Sequence, residues 1–193
     1  MKIIRFIDTD PHVVSDVDFH PDSALLLPGR PMFYPDFGGR WVAVPYMAVH
    51  VNRLGKSVGL KFASRYYDAV SVGLRFAPAE SGAILPGVLS GMDSTITHGE
   101  WIPAEQWRSM FPLACRCVNG GDEELWAIEL KISGDLTDVI DRAIVRVSEL
   151  TTLRMGDVLL LPVPGTDGVA LSPRTRITAT GADGREILSV KVV

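Results

Sequence analysis

Three polar residues in the middle of the chain, His98, Glu100 and Asp93, could together carry metal or acid–base chemistry. His98 and Glu100 stand two positions apart, a spacing that places both side chains on one side of a strand. Imidazole and carboxylate groups carry protons and bind divalent cations, and Asp93 would complete a set of three ligands. The alternative, which we favour, is an ordinary polar pair between His98 and Glu100.

A second set of residues could bind an anion. The Arg75 guanidinium presents two parallel N–H groups that match a carboxylate, and Tyr46, His50 and His98 could complete the pocket. A plainer interpretation of Arg75 is a salt bridge with Asp93. The sequence leaves both interpretations open.

Other reactive side chains give weaker signals. Cys115 and Cys117 would point to the same face of a strand, which suits neither a disulfide nor, with only two ligands, a zinc site. We therefore predict two reduced thiols. His12 and His20 fall in Asp8–Pro21, a stretch without periodicity that predicts a loop, so we expect both to be solvated.

Composition narrows the function classes. The chain has 193 residues, 22% of them charged and 47% hydrophobic, which predicts one soluble domain over residues 1–193. A net charge of -4 with no basic stripe disfavours nucleic acid. No apolar run reaches the roughly 18 residues of a membrane span, so we expect no membrane partner and a cytoplasmic location.

The candidate residues lie on predicted strands. The apolar pattern predicts three strands, at Lys2–Ile7, Trp41–Val51 and Ala69–Phe76. In the strand Trp41–Val51, the period of two places five residues on one face: Val42, Val44, Tyr46, Ala48 and His50. Pro45 removes a donor and predicts an edge or a bulge there. Ala77–Leu89 is predicted to be a loop.

Farther along the chain, the sequence predicts two hairpins and an amphipathic helix. The hairpins turn at Asn119–Asp122 and Gly181–Gly184, and the helix spans Asp135–Leu150 with Thr137 as its N-cap.

Three segments carry a family resemblance. They read KFASRYYDAVSVGLRF, GMDSTITHGEWIP and TTLRMGDVLLLPVP, and they resemble the fumarylacetoacetate hydrolase family. The resemblance covers Asp22 to Val193, and residues 1–21 match weakly. It implies a mixed α/β (α+β) fold, a β-sheet roll with few helices, and Mg- or Mn-dependent enzymes acting on small 2-oxo or β-diketo acids.

The resemblance also implies where the metal ligands would stand. The family carries Glu-x-Glu on one strand and Asp on the next, and these positions are Val44, Tyr46 and Arg75 here. A divalent ion about 4 Å from a guanidinium would be repelled by about 8 kcal/mol at an effective dielectric of 20. Ser90 replaces the substrate-binding Lys of the family. We therefore expect no metal cofactor and no catalytic residues.

These observations predict a non-catalytic protein that acts through partner binding or dimerisation, as a homodimer or as a heterodimer with an active paralogue. One alternative is a binder of a small carboxylate through Arg75. Another is a divergent hydrolase, isomerase or decarboxylase acting on a small 2-oxo or diketo acid.

Overall fold

A computed structural model describes residues 1–7, 17–131, 136–164, 166 and 168–193. Its strands, in chain order, are β1 (Lys2–Phe6), β2 (Val17–Pro21), β3 (Trp41–Val51), β4 (Tyr67–Pro78), β5 (Ile96–His98), β6 (Ile102–Pro103), β7 (Leu113–Val118), β8 (Glu124–Leu130), β9 (Val158–Pro162), β10 (Val169–Ala170), β11 (Thr175–Thr180) and β12 (Glu186–Val192). The α-helices are α1 (Pro86–Gly91), α2 (Trp107–Met110) and α3 (Leu136–Leu150), and two short 3-10 helices span Asp22–Ala24 and Leu60–Arg65.

The described strands form two sheets. The first has the order β2-β1-β9-β3-β4-β5, with β10 added to β3 and β6 to β4; the second has the order β12-β11-β7-β8. All pairs are antiparallel except β1 with β9. Both predicted hairpins are present, as β7–β8 and β11–β12. This strand-rich architecture with few helices confirms the predicted α+β class.

Helix α3 forms where the periodicity predicted it. Its apolar residues recur at three- and four-residue spacings, so one stripe is buried while the opposite side remains polar. Ile140, Ile144 and Val147 are fully buried, and the helix packs against the 3-10 helix Leu60–Arg65. The predicted cap is wrong, because Thr137 is the second residue of the helix, which begins at Leu136.

Strand β3 separates two packing environments. Ala43, Met47 and Val49 point into the main core, whereas Tyr46 and Ala48 belong to a smaller apolar cluster on the opposite face. This alternation confirms the faces predicted from the period of two. The smaller cluster is completed by residues from neighbouring elements: Ile3, Ala24, Ile96, Val158 and Leu160.

The prediction that β3 runs along a sheet edge at Pro45 is wrong for the strand as a whole. β3 is an interior strand, paired with β4 on one side and with β9 and β10 on the other. On that second side, however, β9 pairs from Tyr46 onward and β10 pairs only up to Ala43. Pro45 therefore lies opposite a gap between two partners, where a missing N–H costs least.

Two predicted loops contain regular structure. Val17–Pro21, the described end of the predicted loop Asp8–Pro21, is strand β2, paired in register with β1. In the predicted loop Ala77–Leu89, β4 continues to Pro78 and α1 begins at Pro86. Proline at the first position of a helix is favourable because its missing N–H has no partner there anyway. None of the described helices is long and apolar enough to cross a membrane.

Gly99 lies where the two sheets touch. Its N–H donates to Val72 O on β4 (2.9 Å), and the next residue, Glu100, donates its N–H to Ile187 O on β12 (2.8 Å). A Cβ atom at position 99 would come within 2.7 Å of Ile187 O and 3.0 Å of Ser71 Oγ. Only glycine lets the strands approach this closely.

Candidate functional site: a partly buried arginine beside the smaller apolar cluster

The β3–β4 register brings together the three positions that the resemblance singled out. Val44 lies directly opposite Arg75, and Tyr46, two residues along β3, points to the same face. Tyr46 is buried and Arg75 is partly buried. The three side chains therefore line one patch on the sheet face that carries the smaller apolar cluster.

A second arginine reaches this patch from β1. Arg5 donates through Nε to Asp18 Oδ1 (3.1 Å) and through Nη1 to the Tyr46 hydroxyl (3.1 Å), and its Nη2 forms an ion pair with Asp18 Oδ2. All three guanidinium nitrogen atoms of Arg5 are used in these contacts, and its side chain is only 12% exposed. We call Arg5, Asp18, Tyr46 and Arg75 the Arg75 cluster.

Asp18 is held firmly in its charged form. Burial alone would raise its pKa, but hydrogen bonds from His20 and Arg5 and their charges outweigh burial and lower the pKa to about 2. His20 lies fully buried on β2, with Nε2 2.9 Å from Asp18 Oδ1. The prediction of a solvated loop histidine is therefore wrong for His20. His12 lies outside the described residues.

Arg75 differs from Arg5 because it makes no hydrogen bond or ion pair with any described residue. Burial lowers the pKa of its guanidinium, and repulsion by Arg5 lowers it further, while Tyr46 and Asp18 act in the opposite direction. The predicted salt bridge with Asp93 does not form within the described part of the chain. Asp93 is exposed beyond the end of α1.

Two of the predicted pocket histidines lie in a different cluster. His50 Nδ1 is 2.6 Å from Asp68 Oδ1, and its ring lies 5.2 Å from the Trp101 ring. His98 lies 4.2 Å from the same indole. We call His50, Asp68, His98 and Trp101 the Trp101 cluster.

Both histidines of the Trp101 cluster already have a hydrogen-bond partner. His98 donates through Nδ1 to Gly99 O (2.7 Å), which fixes its tautomer when the ring is neutral. Burial lowers the pKa of His98; the bond to Gly99 raises it, and the nearby His50 lowers it. Glu100 forms an ion pair with Arg185 instead of His98. The predicted polar pair between His98 and Glu100 is therefore replaced by separate contacts.

The remaining predicted site residues do not converge. Ser90 is the penultimate residue of α1. Cys115 and Cys117 are buried free thiols, as predicted, and burial raises the pKa of Cys115 to about 12, which makes it unreactive. Within the described ranges, no three His, Cys, Asp or Glu side chains come together as a metal site would require.

This architecture is shared with solved structures. A protein from Yersinia pestis CO92, provisionally placed in the fumarylacetoacetate hydrolase family, superposes with a TM-score of 0.76 at 16% identity, over 100% of this chain and 92% of its own. The chain has the fumarylacetoacetate hydrolase fold. No family model matches the sequence, and no curated protein matches it either.

Two further structures with this fold contain a metal and a small acid. Fumarylpyruvate hydrolase from Pseudomonas aeruginosa, in complex with Mn²⁺ and pyruvate, has a TM-score of 0.71 at 17% identity, over 100% of this chain and 88% of its own. Maleylpyruvate hydrolase from Sphingobium sp. SYK-6, in complex with manganese(II) and pyruvate, has a TM-score of 0.73 at 20% identity, over 100% and 70%.

These two complexes correct the expectation that no metal cofactor is involved, since proteins of this fold carry manganese. The positions at which the resemblance implied metal ligands do not themselves fit a divalent ion. Val44 has no ligand atom, Tyr46 accepts a hydrogen bond from Arg5, and Asp18 is already paired with Arg5. The Arg75 cluster therefore lacks the ligands that a divalent ion would need.

Sequence reasoning missed Arg5, Asp18, Asp68 and Trp101. Arg5 carried a signal, because a charged residue within an apolar strand needs a partner, and the alternation of β1 places it on the same face as Ile3. Asp18 and Trp101 had no such signal, since their contacts depend on which strands become neighbours. Asp68 likewise had no such signal, since its contact with His50 depends on the pairing of β3 with β4.

Proposed function

We propose that this protein binds a small 2-oxo carboxylate of the pyruvate class, with Arg75 as the residue that holds the carboxylate. The observation that carries the proposal is the partly buried Arg75 guanidinium, which has no hydrogen-bond or ion-pair partner among the described residues. A buried charge is costly unless it is paired.

The charge balance of the Arg75 cluster supports an anionic ligand. Two guanidinium groups, Arg5 and Arg75, face one carboxylate, Asp18, so the cluster carries one excess positive charge. Because Arg5 satisfies Asp18 with two contacts, Arg75 retains its donors for a ligand. A carboxylate at Arg75 would balance the charge and relieve the repulsion between the two arginines.

The ligand class follows from the proteins of similar fold. Fumarylpyruvate hydrolase and maleylpyruvate hydrolase were both solved with pyruvate, a 2-oxo monocarboxylate. The Tyr46 hydroxyl, fixed by Arg5, lies on the same face as Arg75 and could donate a hydrogen bond to the 2-oxo group.

Calorimetric titration with pyruvate tests the proposal, performed with and without Mn²⁺ because the related complexes contain that ion. We expect binding to the native protein and at least about tenfold weaker binding to Arg75→Ala, since a charged hydrogen bond contributes about 1.5–3 kcal/mol. Methyl pyruvate lacks the carboxylate charge. Its affinity for the native protein should therefore be no higher than the affinity of pyruvate for Arg75→Ala.

Arg116→Ala is the matched control variant, because Arg116 is an exposed arginine on the other sheet, and it should bind pyruvate as the native protein does. Equal pyruvate affinity in the native protein and in Arg75→Ala would overturn the assignment of Arg75. Absence of pyruvate binding by the native protein with and without Mn²⁺ would overturn the proposed function.

The prediction of a non-catalytic protein acting through a homodimer, or a heterodimer with an active paralogue, remains a prediction. The turnover of acylpyruvates in the presence of Mn²⁺ would contradict it. A 2-oxo acid bound at Arg75 is compatible with either outcome.

A further inference from the structure

Two loops and a short helix form one exposed surface at the end of β3 and β4. Gly55 and Leu153 exchange backbone hydrogen bonds (3.1 and 2.8 Å), and Lys56 Nζ donates to Glu149 O (2.8 Å). The adjoining 3-10 helix Leu60–Arg65 packs against α3. The exposed residues of this surface are Arg53, Leu54, Lys56, Leu60, Lys61, Phe62, Arg65, Leu150, Arg154 and Met155, and we call it the basic loop surface.

The basic loop surface is cationic although the whole chain has a net charge of -4. It contains five exposed Lys and Arg side chains, and residues 37–67 include no Asp or Glu at all. Three acids border the surface and each has a partner elsewhere: Asp68 pairs with His50, Glu149 with Arg146 and the buried Asp157 with Lys2. None of the five cations forms an ion pair with an acid in the described part of the chain.

The same surface exposes large apolar side chains. Met155 is 75% exposed and Leu54 is 68% exposed. Phe62 lies beneath two cations, with Lys61 Nζ 4.8 Å and Arg65 Cζ 5.2 Å from the centre of its ring. Apolar side chains at this exposure, surrounded by cations, are typical of interaction surfaces.

We propose that the basic loop surface docks on an anionic lipid bilayer. Lysine and arginine side chains attract the negatively charged headgroups, and neighbouring apolar side chains insert at the boundary with the acyl chains. A nucleic acid would use the cations but would leave Leu54 and Met155 in water. The sequence-based expectation of no membrane partner rested on spanning segments, which this mode of contact does not need.

Sedimentation with lipid vesicles tests the proposal on the full-length chain. We expect binding to phosphatidylcholine vesicles that contain about one third phosphatidylglycerol, and none to pure phosphatidylcholine. Lys61→Gln combined with Arg65→Gln should weaken binding about fivefold for each charge removed. Leu54→Ser combined with Met155→Ser should weaken it while leaving its salt dependence unchanged.

The matched control is Arg116→Gln combined with Leu125→Ser, an exposed cation and an exposed leucine on the β7–β8 hairpin, which should bind vesicles as the native protein does. Circular dichroism confirms that each variant is folded. Failure of the native protein to bind anionic vesicles would overturn the proposal. Vesicle binding weakened equally by the control pair would also overturn the proposal. The same holds if the native protein binds DNA or an acidic protein but not the vesicles.

Discussion

The Arg75 cluster and the Trp101 cluster lie on the same face of one sheet but differ in how their charges are balanced. In the Trp101 cluster His50 has Asp68, and His98 has the Gly99 carbonyl. In the Arg75 cluster the only acid is shared with Arg5, and Arg75 has no described partner. The comparison shows that the two clusters differ in charge balance and not in the number of their polar side chains.

The largest expected difference between the clusters concerns their acids. Asp18→Asn removes the one carboxylate that the described residues place beside these two partly buried arginines, so the free energy of unfolding should fall by about 3 kcal/mol. Asp68→Asn alters a pair whose carboxylate is 51% exposed, and it should cost at most about 1 kcal/mol. Urea unfolding followed by tryptophan fluorescence measures both. Equal losses would contradict the contrast drawn between the clusters.

Acid pH should affect the Arg75 cluster through Asp18. Its pKa is about 2 in the folded state against 3.8 as the ordinary value, so its charged form stabilises the fold. This contribution is fully present above about pH 4 and is lost as the pH falls toward 2, at a total of about 2 kcal/mol. Urea titrations across this pH range should show the loss in the native protein. Asp18→Asn should lack this part of the pH dependence, and an identical profile in that variant would contradict the assignment.

A smaller and opposite effect is expected at the two arginines. Arg75→Met removes an unpaired charge while retaining apolar bulk, so it should leave the free energy of unfolding unchanged or raise it by about 1 kcal/mol. Arg5→Met removes the partner of Asp18 and should lower the stability. Thermal unfolding without ligand compares the two variants. A larger loss in Arg75→Met than in Arg5→Met would show that Arg75 is structurally paired.

Local patterns in the sequence predicted the elements that depend on local chemistry. The alternation along Trp41–Val51 placed Tyr46 and Ala48 on one face of β3, and the apolar spacing in Asp135–Leu150 predicted α3. The Asn119–Asp122 turn predicted the β7–β8 hairpin. In each case the decisive interactions lie within a few residues, so neither the strand order nor the pairing partners had to be known.

The features that the sequence did not predict depend on long-range pairing. Pro45 indicated an edge, but the gap between β9 and β10 admits it in the interior of the sheet. Val17–Pro21 lacks a regular apolar pattern and becomes a strand because β1 offers it a partner. Arg5 reaches Tyr46 only because β9 pairs with both β1 and β3. The candidate site was therefore half predicted, with Tyr46 and Arg75 named and Arg5 and Asp18 missed.

The contact at Gly99 makes the two sheets a single mechanical unit. His98, on one side of it, belongs to the Trp101 cluster, while Glu100, on the other, is tied to β12 through Ile187 O and to Arg185. His98 and Ile187 are thus connected through only two consecutive peptide units. Both sheets also line a groove of about 800 Å³ beside Gly99, so we expect the width of the groove to depend on this short connection.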